Sequence, residues 1–265
     1  MKRFAAFFCL TLFLCSAAAA HEYYLEPTKY SVALDEQFGV EHKNGMRFKG
    51  NAYPFINAWN VRSEAWQNGA KVDLRGKDGD RPALTLKSNR PGLVILVHES
   101  KPETLKFLKW EKFVSYLADE GLEHMEAEHL KAGHPREGIK EIYTRFAKTL
   151  VNVGGTEGND QPTGLKFELV ALENPARLAK GAPLPIQALL DGKPLADATI
   201  KVFAGIDTEA AHRIKTDAEG KAMIPDDGAG PYLLNAVHMV PPVTNGGQYD
   251  DAHWETYWAS LVLAR

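Results

Sequence analysis

Cysteine is nearly absent from this chain. Of its 265 residues only two are cysteines, Cys9 and Cys15, and both lie in the apolar segment that begins the sequence. We expect that segment to be cleaved off, which leaves a chain without any thiol. The sequence therefore predicts no disulfide bond, no thiolate metal ligand and no cysteine nucleophile.

Long apolar runs and a strong net charge are also lacking. After the first 20 residues, no stretch approaches the roughly 18 apolar residues of a membrane-spanning helix, so we predict no direct membrane insertion. The 31 lysines and arginines nearly balance the 34 aspartates and glutamates. This balance gives no reason to expect nucleic acid as a partner.

Motifs of common enzyme classes are missing as well. The chain has no Gly-x-Ser-x-Gly elbow, no phosphate-binding loop and no dinucleotide fingerprint. Its Asp-Gly pairs do not have the spacing of a calcium-binding loop. We therefore predict a protein that is not an enzyme.

The start of the chain has the form of a secretory signal. A basic segment at residues 1–3 precedes an apolar run at 4–15 and small residues at 16–20, which predicts cleavage after Ala20 and a periplasmic protein. His21 would then be the first residue, and its α-amine and imidazole could together chelate a divalent transition metal. The alternative is that cleavage leaves a histidine there by accident.

Hydrophobic periodicity predicts a mainly β chain with a helical insertion. Trp110, Phe113, Val114 and Leu117 follow helical spacing, and Gly121 is placed to end that helix. A second short helix is predicted over 122–131. A third is predicted on a face that holds the following residues: Ile139, Ile142, Tyr143, Phe146 and Leu150.

The remainder reads as short strands separated by turns, which is typical of β-sandwiches. The predicted organisation is a signal peptide at 1–20, a β-rich N-terminal domain at 21–101, a helical insertion at 102–153, a linker at 154–163 and a C-terminal β domain at 164–265.

Several segments of the chain resemble the DUF4198 family, which has been labelled a nickel-transport component or nickel uptake transporter family. They are residues 21–27, 113–122, 143–151, 192–196, 216–220, 236–239 and 254–261. The resemblance implies a periplasmic protein with an immunoglobulin-like or transthyretin-like C-terminal β-sandwich. It also implies an association with transition-metal uptake, and hence a membrane metal-uptake system as a partner.

Histidines are the candidate metal ligands. His98 and His238 each lie near the end of a predicted strand, so with His21 they could supply one amine and three imidazoles to Ni(II), Cu(II) or Co(II). His253 is a fourth candidate, in an aromatic context. The alternative for each is an ordinary packed or capping histidine. His42, which flanks a turn, is interpreted as solvated.

Three functions remain open on this sequence. The first is a periplasmic accessory protein that binds a transition metal and passes it to an uptake system. The second is a module without metal that binds a partner or a carbohydrate, since sandwich domains serve many roles. The third, less favoured, is a copper enzyme with a histidine brace at the N-terminus.

Overall fold

The computed structural model of the protein describes residues 22–205, 212–228, 230–243, 247 and 249–265. The predicted signal peptide and His21 lie outside the described residues. Strands make up 49% and helices 11% of the described residues, which confirms the prediction of a mainly β protein.

The helices are α1 (Trp110–Glu120) and α2 (His124–Lys131), and short 3-10 turns lie at Asn57–Trp59 and Pro175–Arg177. The strands, in chain order, are β1 (Glu22–Pro27), β2 (Ser31–Val32), β3 (Gln37–Met46), β4 (Lys49–Tyr53), β5 (Asn60–Gln67), β6 (Ala70–Asp73), β7 (Leu84–Lys87), β8 (Gly92–Ser100), β9 (Glu103–Phe107), β10 (Ile139–Val153), β11 (Phe167–Ala171), β12 (Leu184–Leu190), β13 (Lys193–Pro194), β14 (Thr199–Ala204), β15 (His212–Lys215), β16 (Lys221–Ile224), β17 (Tyr232–Val240) and β18 (Trp254–Leu263).

These strands form three sheets. The largest, here called the central sheet, has ten strands in the order β15-β14-β17-β18-β10-β8-β5-β6, with β2 and β9 also paired to β10. The N-terminal sheet has the order β1-β3-β4, with β7 paired to β3. The C-terminal sheet has the order β11-β12-β13, with β16 paired to β12. The central sheet therefore contains strands from both predicted β domains.

The central sheet is covered on both faces. In β8, Leu93, Ile95 and Val97 pack in one core with the C-terminal sheet, whereas Val94 and Leu96 pack in another core with the N-terminal sheet. This burial explains why the sequence of β8 is a continuous apolar run rather than an alternating one. Sheets packed face to face make a β-sandwich, as the sequence predicted.

The two helices lie over the same face of the central sheet as the N-terminal sheet. Phe113 and Leu117 of α1 pack with Trp254 and Trp258 of β18, so the predicted amphipathic stripe is confirmed. Gly121 ends α1 with a φ of +73°, and a Cβ at this position would meet Thr199 at 2.5 Å.

No helix in the described part of the chain is long and apolar enough to cross a membrane.

The prediction of a third helix was wrong, because residues 139–153 form β10. This strand pairs parallel with β18 and antiparallel with β8 and β9. Its β-branched and aromatic residues favour a strand, but both of its faces are buried, so the alternation that would reveal a strand is hidden. Polar residues of β10 such as Glu141 and Lys148 are buried too. Because these polar residues interrupt the apolar positions of the strand, the remaining apolar residues have the spacing of a helix.

Glu141 is a buried carboxyl group that favours its protonated form. Oε1 accepts hydrogen bonds from Thr256 Oγ1 at 2.6 Å and from Tyr116 Oη at 3.3 Å, while Oε2 is buried and has no partner in the described ranges. Burial, together with the charge of the nearby Glu120, raises the pKa of Glu141 to about 8 although these two hydrogen bonds lower it. The folded protein therefore holds a proton that an unfolded chain releases near pH 4.5.

This raised pKa predicts a pH-dependent stability. The stabilising contribution of the proton is complete below the ordinary pKa of 4.5 and is lost as pH rises through about 8. We expect Glu141→Gln, which keeps the acceptor oxygen but cannot ionise, to reduce this loss by about 2–4 kcal/mol between pH 5 and 9. Urea unfolding of both proteins across that range measures the difference. Parallel pH curves would contradict a protonated Glu141.

Candidate functional site

The three predicted ligands that the structure describes, which are His98, His238 and His253, do not form one metal-binding group. His98 is buried at the end of β8. His238 is half-buried in β17, with its ring 6.2 Å from that of Phe167, and burial followed by the charge of His124 lowers its pKa. Within the described ranges, no three histidine, cysteine, aspartate or glutamate side chains are grouped so that they could hold a metal ion. The prediction for His21 lies outside the described residues.

The structure brings His98 instead against His42. Their ring centroids are 4.9 Å apart, and the ring of Tyr23 lies 5.0 Å from His98 and 5.9 Å from His42. Tyr23 belongs to β1, His42 to β3 and His98 to β8. The site therefore lies where the N-terminal sheet packs against the central sheet.

Sequence reasoning interpreted His42 as solvated, and this was wrong, since only 4% of the residue is exposed. A signal was present: Phe38, Val40 and His42 alternate along β3 and share its apolar face. Val94, Leu96 and His98 do the same along β8. Each histidine therefore continues an apolar face into the same core.

Both histidines have a buried nitrogen that finds no hydrogen-bond partner among the described residues. These atoms are Nε2 of His42 and Nδ1 of His98. Leaving a buried polar atom unpaired costs about 1–3 kcal/mol, so such atoms are rare and usually mark a water, an ion or a functional role. The pair is thus a destabilising feature that packing alone does not explain.

Both imidazoles are neutral at physiological pH. Burial lowers the pKa of His42 to about 4. Burial also lowers the pKa of His98 well below its ordinary value, and the neighbouring His42 and Arg145 lower it further. Neutral imidazole is the form that binds a metal, so a metal that enters does not compete with protonation of these rings at neutral pH.

The spacing of the two rings suits a shared metal. A metal–nitrogen bond of about 2.0–2.1 Å puts the metal roughly 3.2 Å from the ring centre, so two imidazoles on one tetrahedral or square-planar metal have centres about 4.5–5.2 Å apart. The observed 4.9 Å falls in that interval. The ring separation by itself therefore allows two imidazoles to share one divalent metal.

A second histidine cluster is chemically different. His129 Nδ1 accepts from the indole N–H of Trp254 at 2.9 Å, so its proton is on Nε2, which donates to the carbonyl of Pro135 at 2.9 Å. His253 Nδ1 accepts from the backbone N–H of Lys140 at 3.0 Å, which puts the proton of the neutral ring on Nε2. Neither ring offers a free lone pair in this arrangement, although His134 lies 5.2 Å from His129 and 5.1 Å from His253.

The start of β1 is held beside the site by a buried ion pair. Lys201 Nζ of β14 lies 2.8 Å from Glu22 Oε1 and 2.7 Å from Glu120 Oε2 at the end of α1. Burial lowers the pKa of Lys201, but the two carboxylates outweigh it and raise the pKa overall. Lys201 therefore stays charged and fixes Glu22, the residue directly before Tyr23.

Comparison with known proteins adds little about chemistry. No protein of curated function matches the chain. Among solved structures, the D0-D1 domain of Intimin aligns over 91% of this chain and 97% of its own, with 11% identity and a TM-score of 0.22. A similarity that low supports no argument about fold or function.

The family model fits the chain far better. The model of a domain of unknown function, DUF4198, matches residues 18–240. That range includes β1, β3 and β8, and so all three rings of the site. This match confirms the resemblance seen in the sequence, and the chain belongs to the DUF4198 family.

Proposed function

We propose that this protein is a periplasmic accessory protein that binds Ni(II), Co(II) or Cu(II) at His42 and His98 and passes it to a membrane uptake system. The observation that supports the proposal is the pair of buried, neutral imidazoles, each with an unpartnered nitrogen, at a spacing that fits one metal. Imidazole suits these metals, and copper binds nitrogen sites most tightly among them.

Two protein ligands suit carriage better than storage. A closed cage of four protein ligands is typical of structural metal sites, whereas a site with open positions exchanges its ligands. The ring of Tyr23 lies against both histidines, so movement of this one side chain opens a path to the metal. Entry and release through Tyr23 are part of the proposal.

The predicted chelate of the α-amine and imidazole of His21 is a second set of metal donors, separate from His42 and His98. His21 precedes Tyr23 by two residues in the sequence, and its position lies outside the described residues. The two donor sets are distinguishable by mutation, because either can be removed alone.

The test is a calorimetric titration of the processed protein with Ni(II), Cu(II), Co(II) and Zn(II). We expect His98→Leu, which is similar in volume but apolar, to weaken binding of the preferred metal at least about 100-fold. The same variant without metal should unfold at the same urea concentration or a higher one, because it lacks an unpaired buried nitrogen. His212→Ala, at an exposed histidine paired with Asp227, is the matched control.

Further arms separate the alternatives. An extra residue before His21 blocks the amine chelate and leaves His42 and His98 intact. If only that extension abolishes binding, the N-terminus is the site and the buried pair is not. If His98→Leu binds like the parent protein, the proposed site is wrong. If no form binds metal, the metal-free interaction module becomes the better function.

A further inference from the structure

β7 is an edge strand of the N-terminal sheet. Among the strands of the described residues, it pairs with β3 alone. Gly39 of β3 turns its backbone toward β1, because its carbonyl accepts from the N–H of Thr28 at 2.9 Å and its own N–H donates to Thr28 Oγ1 at 3.0 Å. Backbone groups alternate between the two sides of a strand. Phe38 and Val40 therefore make the backbone hydrogen bonds to β7.

Two residues of β7 turn their backbone away from the sheet. The partners of Phe38 and Val40 are Leu86 and Leu84, so the N–H and C=O groups of the alternate residues, Thr85 and Lys87, face outward. Both of these residues are exposed. In the part of the chain that the structure describes, no other strand pairs with them. The outer edge of β7 is therefore open to another strand.

The edge of β4 differs, although β4 lies on the same side of β3. The carbonyl of Ala52 accepts from the guanidinium of Arg81 at 3.1 Å, and the N–H of Gly50 donates to Tyr24 Oη at 2.8 Å. Side chains of the protein thus cover the outer edge of β4. The outward groups of β7 have no such cover among the described residues, so the opening is confined to β7.

A cavity of about 290 Å³ lies along this open edge. It is lined by residues 82–86, which include the first three residues of β7, and by residues 74–76, which follow β6. Leu74, Leu84 and Leu86 give it apolar surface. Since side chains alternate along a strand, a strand added to β7 places every second side chain over this cavity.

The cavity is positively charged. Arg75 and Arg81 both line it, and Lys87 follows directly in β7. Asp80 is the acidic residue in the lining, and its carboxylate accepts from the backbone N–H of Lys77 at 2.8 Å. Two guanidinium groups against one carboxylate favour an occupant that carries a negative charge and disfavour a cationic one.

We propose that the open edge of β7 binds an extended segment of another protein as an added strand, and that Arg75 and Arg81 bind an aspartate or glutamate side chain of that segment. Backbone hydrogen bonds to Thr85 and Lys87 supply affinity, and the arginines select the charge. The inference goes beyond the proposed function and does not depend on any metal. It makes this edge of the N-terminal sheet an interaction surface for acidic, extended peptides.

The experiment titrates the isotope-labelled protein with a hexapeptide, blocked at both ends, of alternating valine and threonine in which a central threonine is glutamate. We expect the NMR signals of the Thr85 and Lys87 amides to shift. The same peptide with glutamine in place of glutamate should bind about tenfold more weakly. Arg75→Gln should weaken the glutamate peptide about tenfold and leave the glutamine peptide unchanged.

Thr85→Pro tests the added strand separately from the charge. It removes an N–H that points away from β3, so the sheet keeps its own hydrogen bonds and the urea midpoint should stay the same. Both peptides should bind about 2–10-fold more weakly. Arg136→Gln is the matched control, because it removes the same charge at an exposed arginine that packs on Trp110, and it should change neither titration.

Four results would overturn the proposal. They are equal affinity for the two peptides, signal shifts confined to residues outside the cavity, the absence of any shift at millimolar peptide, and binding of N-acetylglutamate as tight as that of the hexapeptide. The last result would show that the cavity takes a small carboxylate and not a strand.

Discussion

Replacing Lys148 with methionine should destabilise the protein by about 3–5 kcal/mol. Lys148 of β10 is 1% exposed, and its Nζ lies 2.9 Å from Asp160 Oδ1 and 3.6 Å from Glu168 Oε2. Nζ also donates to the carbonyls of Gln161 and Leu169, both at 3.2 Å. Methionine fills similar space but leaves two carboxylates buried without their cation, and this uncompensated charge is the cause of the loss.

Urea unfolding at pH 7 measures the loss, with Lys112→Met at an exposed helical position as the control that should change stability by less than about 0.5 kcal/mol. The double variant Lys148→Met/Glu168→Gln should lose less than the sum of its single variants, because the second change removes one of the uncompensated charges. A loss below about 1 kcal/mol for Lys148→Met would show that Asp160 and Glu168 do not depend on this lysine.

Lys201→Met should have a comparable effect, about 3–5 kcal/mol at neutral pH. The variant leaves Glu22 and Glu120 facing each other in a buried site without the cation that lies within 2.8 Å of both. Burial already raises the pKa of Glu120 to about 7 with Lys201 present, and removal of the lysine raises it further. Glu120 is then protonated in acid, so the destabilisation should be smaller at pH 5 than at pH 8.

This pH dependence distinguishes loss of charge from loss of packing, which would be equal at both values. Hydrogen exchange adds a local measurement: the amides of β1 should exchange faster in Lys201→Met, since Glu22 loses its anchor. Lys71→Met is the matched control, because its Nζ is 3.1 Å from Glu64 Oε1 while the side chain is 46% exposed. Exposed pairs of that kind contribute about 0–1 kcal/mol.

The sequence predicted elements whose pattern is local. The stripe of α1 and the glycine after it are visible within a dozen residues, and α1 ends at Gly121 as predicted. β10 was misread because its pattern depends on neighbours that are distant in sequence. Its Lys148 looks like a solvated position until Asp160 and Glu168 are placed against it.

In the candidate site too, local patterns were predicted correctly and contacts between distant residues were missed. His98 was a candidate ligand because it ends an apolar strand, and it does lie in the site. His42 was missed because it approaches His98 only when the N-terminal sheet packs on the central sheet, a contact between residues 56 positions apart. No spacing in the chain encodes that contact.

The last strand of the chain lies in the middle of the central sheet, and this has a consequence for how the protein is made. β18 pairs with β17 on one side and with β10 on the other, and the parallel partners, such as Glu141 and Trp254, are more than 100 residues apart in sequence. Such distant pairing slows folding, because the entropy of closing a long loop is lost before the contacts form. Until residues 254–263 are in place, β17 and β10 lack the strand that joins them in the central sheet.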